Sequence, residues 1–291
     1  TLFILALPVL VLVLGGFAVA CGQSFAVGSA TIAVGSGVSL GCGNVIVLAG
    51  TGSMTVTGNF SWNGGGYVAM SSATAKLTIT GDFYANQVDL GDAILTAGVL
   101  EVKGNFSTGG NNYQNYRATG AHITRFSGTG AQSIAFVYPA TDKSQFANLE
   151  VTGGGTLSVT TGVIVAGTMT VTGGSTIGGG NTMYVAGLLA TTTGTSLAGL
   201  NHVEIYGAGA VFPQIAGTGP PFVQFTSGGT VTSPSNLTLP TSLSVLYGSV
   251  LDVGSTALTI TGNLSWNNGG YVRMTNGAGT LLVTGDVYAN Y

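Results

Sequence analysis

One fixed step constrains this chain more than any other feature. Gly58-Asn-Phe60, Gly81-Asp-Phe83 and Gly104-Asn-Phe106 lie 23 apart, and each follows a short alternating segment: Thr-Val-Thr, Thr-Ile-Thr and Glu-Val-Lys. The block 58–86, GNFSWNGGGYVAMSSATAKLTITGDFYAN, returns at 262–290 as GNLSWNNGGYVRMTNGAGTLLVTGDVYAN. The offset is 204 residues, and 17 of the 29 positions are identical. Gly262 and Gly285 in the second copy are again 23 apart. A constant period between about 20 and 50 residues marks a solenoid or array. Alternating strands with glycine turns would also suit a β-sandwich, but that needs about 100 residues per unit. The step therefore predicts an all-β fold, a parallel β-helix (β-solenoid) with rungs of about 23 residues.

Alternation within each rung sets its faces. In Leu77-Thr-Ile-Thr80 the apolar residues point one way and the threonines the other. Stacking at one period then aligns Val56, Ile79 and Val102 in one column and Phe60, Phe83 and Phe106 in a second. Asn59, Asp82 and Asn105 form a third, beside the glycine turn. Composition agrees. Charged residues are 5% of the chain, against roughly 25% in ordinary domains, and there are 50 glycines. With so few charges and so many helix breakers, no amphipathic helix is expected after residue 20. Disorder is excluded by 45% hydrophobic content. The six Lys and Arg are scattered, which excludes a nucleic-acid partner that would need a basic patch.

Residues 2–20, LFILALPVLVLVLGGFAVA, carry no charge. Ala18-Val19-Ala20 is an A-x-A pattern before Cys21, so residues 1–20 read as a secretory signal peptide. A membrane anchor is the alternative, since about 20 apolar residues span a bilayer. The Leu-Pro-Val-Leu and Gly-Gly-Phe-Ala-Val segments resemble the start of TadG-like pilus-assembly proteins. A lipoprotein signal is ranked lower, because Ala18 stands where Leu is usual. Each of these readings places the remainder outside the cytoplasm, as one solenoid region, 21–291, whose long repeat is cut short at its C-terminal end. Export permits a disulfide between Cys21 and Cys42; two small buried or unpaired residues are the alternative. No metal or other cofactor is expected.

A second block begins at Ala121 with HITRFSGTGAQSI and returns in weaker form from His202. Phe126-Ser-Gly-Thr-Gly-Ala-Gln-Ser-Ile134, followed by Phe146-Ala-Asn-Leu149 and by Gly-Thr-Leu-Ser-Val and Gly-Thr-Met-Thr-Val, resembles repeats of large secreted bacterial surface proteins. These are β-helical adhesin-like proteins in the style of filamentous haemagglutinin and autotransporter passenger domains. The resemblance implies a parallel β-helix, a cell-surface or secreted location and a structural or adhesive role. Other surface proteins, host or surface glycans, or copies of the chain itself are the partners it implies. It carries no catalytic residues.

The chemistry-bearing residues are few. Polysaccharide lyases and hydrolases need carboxylates converging on one face. The one candidate group is Asp82, Asp89, Asp92, Glu101 and Lys103. Asp82 matches Asn59 and Asn105, which suggests a turn role, as does Gly91 between Asp89 and Asp92. His122 and His202 occupy equivalent repeat positions, which favours structure over catalysis. Trp62, Tyr67, Trp266 and Tyr271 recur with the long repeat and are expected to pack a corner between rungs. Paired threonines such as Thr55/Thr57 and Thr78/Thr80 suit an ice-binding array, but Glu101 and Lys103 interrupt it. The polar, aromatic-rich stretch 109–117 is expected to project as a ligand-contact loop through Asn111, Asn112, Tyr113, Asn115, Tyr116 and Arg117. The expected function is a non-enzymatic structural or adhesive stalk. A polysaccharide-binding or polysaccharide-degrading β-helix is second and an ice-binding solenoid third.

Overall fold

A computed structural model describes residues 2–3, 13–14, 21–86, 88, 94–110, 114–234 and 236–290; for residues 2–3 and 13–14 the backbone alone is described. Among these residues the fold is all-β, without helix. The parallel stacked strands form a β-solenoid of about 12 turns with a spacing of about 22 residues. The turns fall into two compact units, residues 1–155 and 156–291.

In unit 1 the strands stack on three faces, with the first face reduced to isolated bridges after its third strand. The first face stacks Ser24–Val27, Val45–Leu48 and Tyr67–Met70. The second stacks Thr31–Val34, Ser53–Val56, Lys76–Ile79, Val99–Val102, Ile123–Phe126 and Asn148–Val151. On the third lie Val38–Leu40, Phe60–Trp62, Phe83–Asn86, Phe106–Gly109 and Ala131–Ala135. Lys76 pairs with Ser53 on one side and Val99 on the other, so the step seen in the sequence is the rung itself. Within the segment expected to be a signal or anchor, Leu2–Phe3 pairs with Phe25 and Ala26, and Val13–Leu14 with Ala33 and Val34. The rest of that segment lies outside the described residues.

The alternation in sequence becomes an inside and an outside. Ile79 sits between Val56 and Val102, all three buried, while Thr78 and Glu101 on the same strands face out. Phe83 lies in register between Phe60 and Phe106, with ring centroids 6.3 and 4.7 Å away. Trp62 meets Phe83 edge-on at 4.7 Å and is buried. Burying one such ring contributes about 1.5–3 kcal/mol, so an aromatic column of this size is a major part of the core of unit 1.

The glycine corner has a steric cause. Gly81 N–H donates to the Gly58 carbonyl and Gly104 N–H to the Gly81 carbonyl. A Cβ on Gly104 would sit 2.5 Å from the Gly81 carbonyl carbon, too close for any side chain. Beside this corner the expected polar column forms as a hydrogen-bonded ladder. Asp82 N–H donates to Asn59 Oδ1 (2.9 Å) and Asn105 N–H to Asp82 Oδ1 (2.7 Å).

Unit 2 runs on a shorter step. Val163 pairs with Met183 and Met183 with Val203, the same interval each time. Thr182 and His202, 20 residues apart, meet through Oγ1 and Nδ1 on these neighbouring turns. The strands here are often short, such as Met183–Val185 and Val203–Ile205, so less chain completes a turn. The longer step comes back where the long repeat returns, with Leu264 opposite Val287 and Leu258 opposite Leu281. The repeat is kept strand for strand. Phe60–Trp62, Tyr67–Met70, Lys76–Ile79 and Phe83–Asn86 reappear as Leu264–Trp266, Tyr271–Arg273, Thr280–Val283 and Val287–Ala289.

Candidate functional site: a charged ladder on the second face

The outward positions of the second face in unit 1 run Ala33, Thr55, Thr78, Glu101, Arg125, Glu150, each in register with the next. The first half of this column is small and hydroxylic. From the fourth turn it becomes alternately acidic and basic. Parallel turns stack about 4.8 Å apart, which brings successive side chains into ion-pair range. Lys76 Nζ, one column aside, lies 2.6 Å from Glu101 Oε2. Ser127 Oγ donates to Glu101 Oε1 at 2.6 Å. Arg125 Nε donates to Glu150 Oε2 at 2.7 Å. Lys103 is exposed beside them.

These contacts fix the acid–base character of the cluster. Burial alone would raise the Glu101 carboxyl. The Lys76 and Ser127 hydrogen bonds, with the charges of Lys76 and Arg125, outweigh it and hold the carboxyl below its ordinary value. A glycosidase acid needs the opposite shift, upward into the neutral range. Glu101 is thus held in its ionised, hydrogen-bond-accepting form at neutral pH, a state suited to binding and poorly suited to donating a proton. The threonine array stops at Thr78, opposite Glu101, as its sequence predicts.

The other sequence candidates separate. Asp82 belongs to the turn ladder, not to the Glu101 face. Asp89 and Asp92 lie outside the described residues, as do Asn111, Asn112 and Tyr113. Asn115 and Tyr116 correct the expectation of a projecting loop, because both are buried. The Asn115 side chain donates to the Gly109 carbonyl (2.7 Å) and accepts from Val88 N–H (3.2 Å), while Trp62 Nε1–H donates to the Asn115 carbonyl (3.2 Å). The Tyr116 ring packs on Trp62, Phe83, Phe106 and Phe146. A polar stretch can enter a core when each of its polar groups finds a partner there. Arg117 is half-buried, and its backbone bridges to Gln145.

The two histidines have structural partners. His122 is buried, with Nδ1 2.9 Å from the Ala97 carbonyl and Nε2 3.2 Å from the Tyr116 hydroxyl. His202, half-buried, stacks on Phe222 at 4.7 Å. Trp62 packs between rungs as expected, but its repeat partner Trp266 is half-buried and Tyr271 is exposed. Cys21 and Cys42 are both exposed and unjoined. Among the described residues no three His, Cys, Asp or Glu side chains group as metal ligands, and no helix is long and apolar enough to cross a membrane.

Sequence reasoning missed Gln132. Its amide donates to the Gly104 carbonyl (2.6 Å) and to the Val102 carbonyl (3.2 Å) and accepts from Gly128 N–H (2.9 Å). It seals the corner where the charged face ends. The Gly-Thr-Gly-Ala-Gln spacing is the signal that could have revealed it. No protein-family model matches the chain, and no curated protein or solved structure matches it.

Proposed function

We propose that this chain is part of an exported, non-enzymatic surface protein, a structural or adhesive stalk built from stacked β-rungs. The observation that carries this reading is the strand-for-strand reuse of the 58–86 block at 262–290. A unit whose turns contact mainly their neighbours lengthens by repetition, and its stability grows with it. That is the logic of a spacer. Export rests on the apolar run 2–20 and its A-x-A pattern. With Asn115 and Tyr116 committed to the core, the charged ladder of Lys76, Glu101, Arg125 and Glu150 becomes the foremost contact surface. Its partners would be surface glycans, other surface proteins or further copies of the chain.

Single-molecule stretching tests the mechanical role. Unwinding one turn of about 22 residues should release roughly 70–80 Å of contour, at about 3.3–3.6 Å per residue, and force should produce repeated steps of that size. Complete extension at forces too low to register would count against a load-bearing stalk. The second reading, a polysaccharide-binding or polysaccharide-degrading β-helix, draws on the same ladder. Depolymerisation of an acidic or neutral glycan by the purified chain, abolished by Glu101→Gln, would replace the stalk with an enzyme.

A further inference from the structure

The only two cysteines of the chain stand at one position of successive turns. Ser24 is paired with Val45, and Gln23, beside it, bonds Asn44, 21 residues on; the same step carries Cys21 to Cys42. The backbone is held together at this spot. Gly22 N–H donates to the Cys42 carbonyl (2.8 Å), Gln23 N–H to Asn44 Oδ1 (3.0 Å), and Val45 N–H to the Gln23 carbonyl (2.9 Å). Stacked turns lie about 4.8 Å apart, inside the Cα–Cα window of about 4.4–6.8 Å that a disulfide spans. The Cys21 thiol is pushed up, chiefly by a side-chain hydrogen bond with Cys42.

A second observation concerns the backbone at Cys42. Its φ is +54°, a left-handed conformation that favours glycine. One turn further on, Gly64 occupies the matching position with φ +53° and accepts from Gly43 N–H through its carbonyl. Cysteine therefore stands where conformation alone would choose glycine.

We propose that Cys21 and Cys42 are a covalent cross-link site, closing as a rung-to-rung disulfide that rivets these two turns of unit 1. The oxidant is a small-molecule or protein disulfide. One cysteine thiolate attacks it, forming a mixed disulfide and expelling one thiolate. The second cysteine loses its proton and attacks the sulfur of the first, expelling the other thiolate. Two protein thiols become one disulfide, and the oxidant disulfide becomes two thiols. With the partner thiol held on the adjoining turn, closure is intramolecular, at an effective concentration of about millimolar order or above. It outruns attack by a second oxidant molecule. This cross-link is independent of the stalk reading and would stand if that failed.

The reduced full chain is treated with oxidised glutathione, quenched with N-ethylmaleimide and weighed intact. The expected product is a monomer two hydrogens lighter, carrying neither maleimide nor glutathione. Cys21→Ser and Cys42→Ser, treated alike, should each carry glutathione or maleimide on the remaining thiol. Proteolysis of the closed form should yield one peptide pair joined through residues 21 and 42. Wild-type chain that retains two maleimides, carries glutathione on both cysteines or forms linked dimers in place of the closed monomer would overturn the proposal.

Discussion

Acidifying the solution from pH 6.5 to about 4 should destabilise the chain by about 3 kcal/mol through His122 alone. The Ala97 carbonyl can only accept, so the proton sits on His122 Nδ1 and the ring is neutral. Nε2 then accepts from the Tyr116 hydroxyl, and the Thr124 hydroxyl donates to Tyr116 Oη at 2.7 Å. A second proton would charge a ring sealed in the aromatic core. Burial, partly offset by the Ala97 carbonyl, lowers the imidazole pKa from 6.5 to about 4. Below pH 6.5 the unfolded chain takes up this proton and the folded chain does not, so the unfolded state gains. The stabilisation is full above pH 6.5, declines as pH falls and is gone below about 4. Its size is about 2.5 pKa units at about 1.36 kcal/mol each. Urea unfolding at several pH values, compared with His122→Gln, isolates the effect. Glutamine keeps a donor for Ala97 and an acceptor for Tyr116 but does not titrate. The wild-type free energy should fall by about 3 kcal/mol more than that of the variant across this window. Parallel curves for the two proteins would refute the argument.

Three further outcomes follow from the packing. Phe83→Ala removes the middle of the Phe60–Phe83–Phe106 column and should cost about 3–5 kcal/mol in urea unfolding. Gly104→Ala drives a methyl group into the Gly81 carbonyl and should cost about 3 kcal/mol, the upper part of the overpacking range, measurable as a lower urea midpoint. Lys76→Met removes a half-exposed ion pair and should change stability by less than about 1 kcal/mol. It should nevertheless raise the Glu101 carboxyl pKa, followed by NMR titration, because Lys76 is one of the groups that hold it down.

The rungs were legible because their constraint is local and repeated. A turn glycine, an inward Val or Ile and an inward Phe recur at one interval, and each has a steric reason to be there. The Asn59–Asp82–Asn105 ladder was legible for the same reason. The stretch 114–117 was not. Its polarity argues for solvent, and only the three-dimensional coincidence of Gly109, Val88 and Trp62 gives Asn115 enough partners to be buried. The sequence does hold a hint, since Tyr116 follows three rungs whose phenylalanines, Phe60, Phe83 and Phe106, all point inward. The charged ladder was hidden too. Arg125 and Glu150 are 25 residues apart, further than the Gly-Asn-Phe motif suggests. The step lengthens turn by turn, as Ile79 pairs with Val102, Val102 with Phe126 and Phe126 with Val151. A projection at the motif's own interval misaligns the last two. The shorter step of unit 2 escaped notice because it never carries the Gly-Asn-Phe motif that advertises the longer one.

A distance ruler along the second face of unit 1 tests the in-register parallel stack most directly. Spin labels are placed at residue 33 together with 101, 125 or 150, in a Cys21→Ser/Cys42→Ser background. These positions are three, four and five turns apart in one outward column. Pulsed electron resonance should give mean separations of about 14, 19 and 24 Å, rising by about 4.8 Å per turn apart from a common label offset. Separations that fail to rise in that order, or that jump by tens of ångströms between neighbouring turns, would contradict the stack.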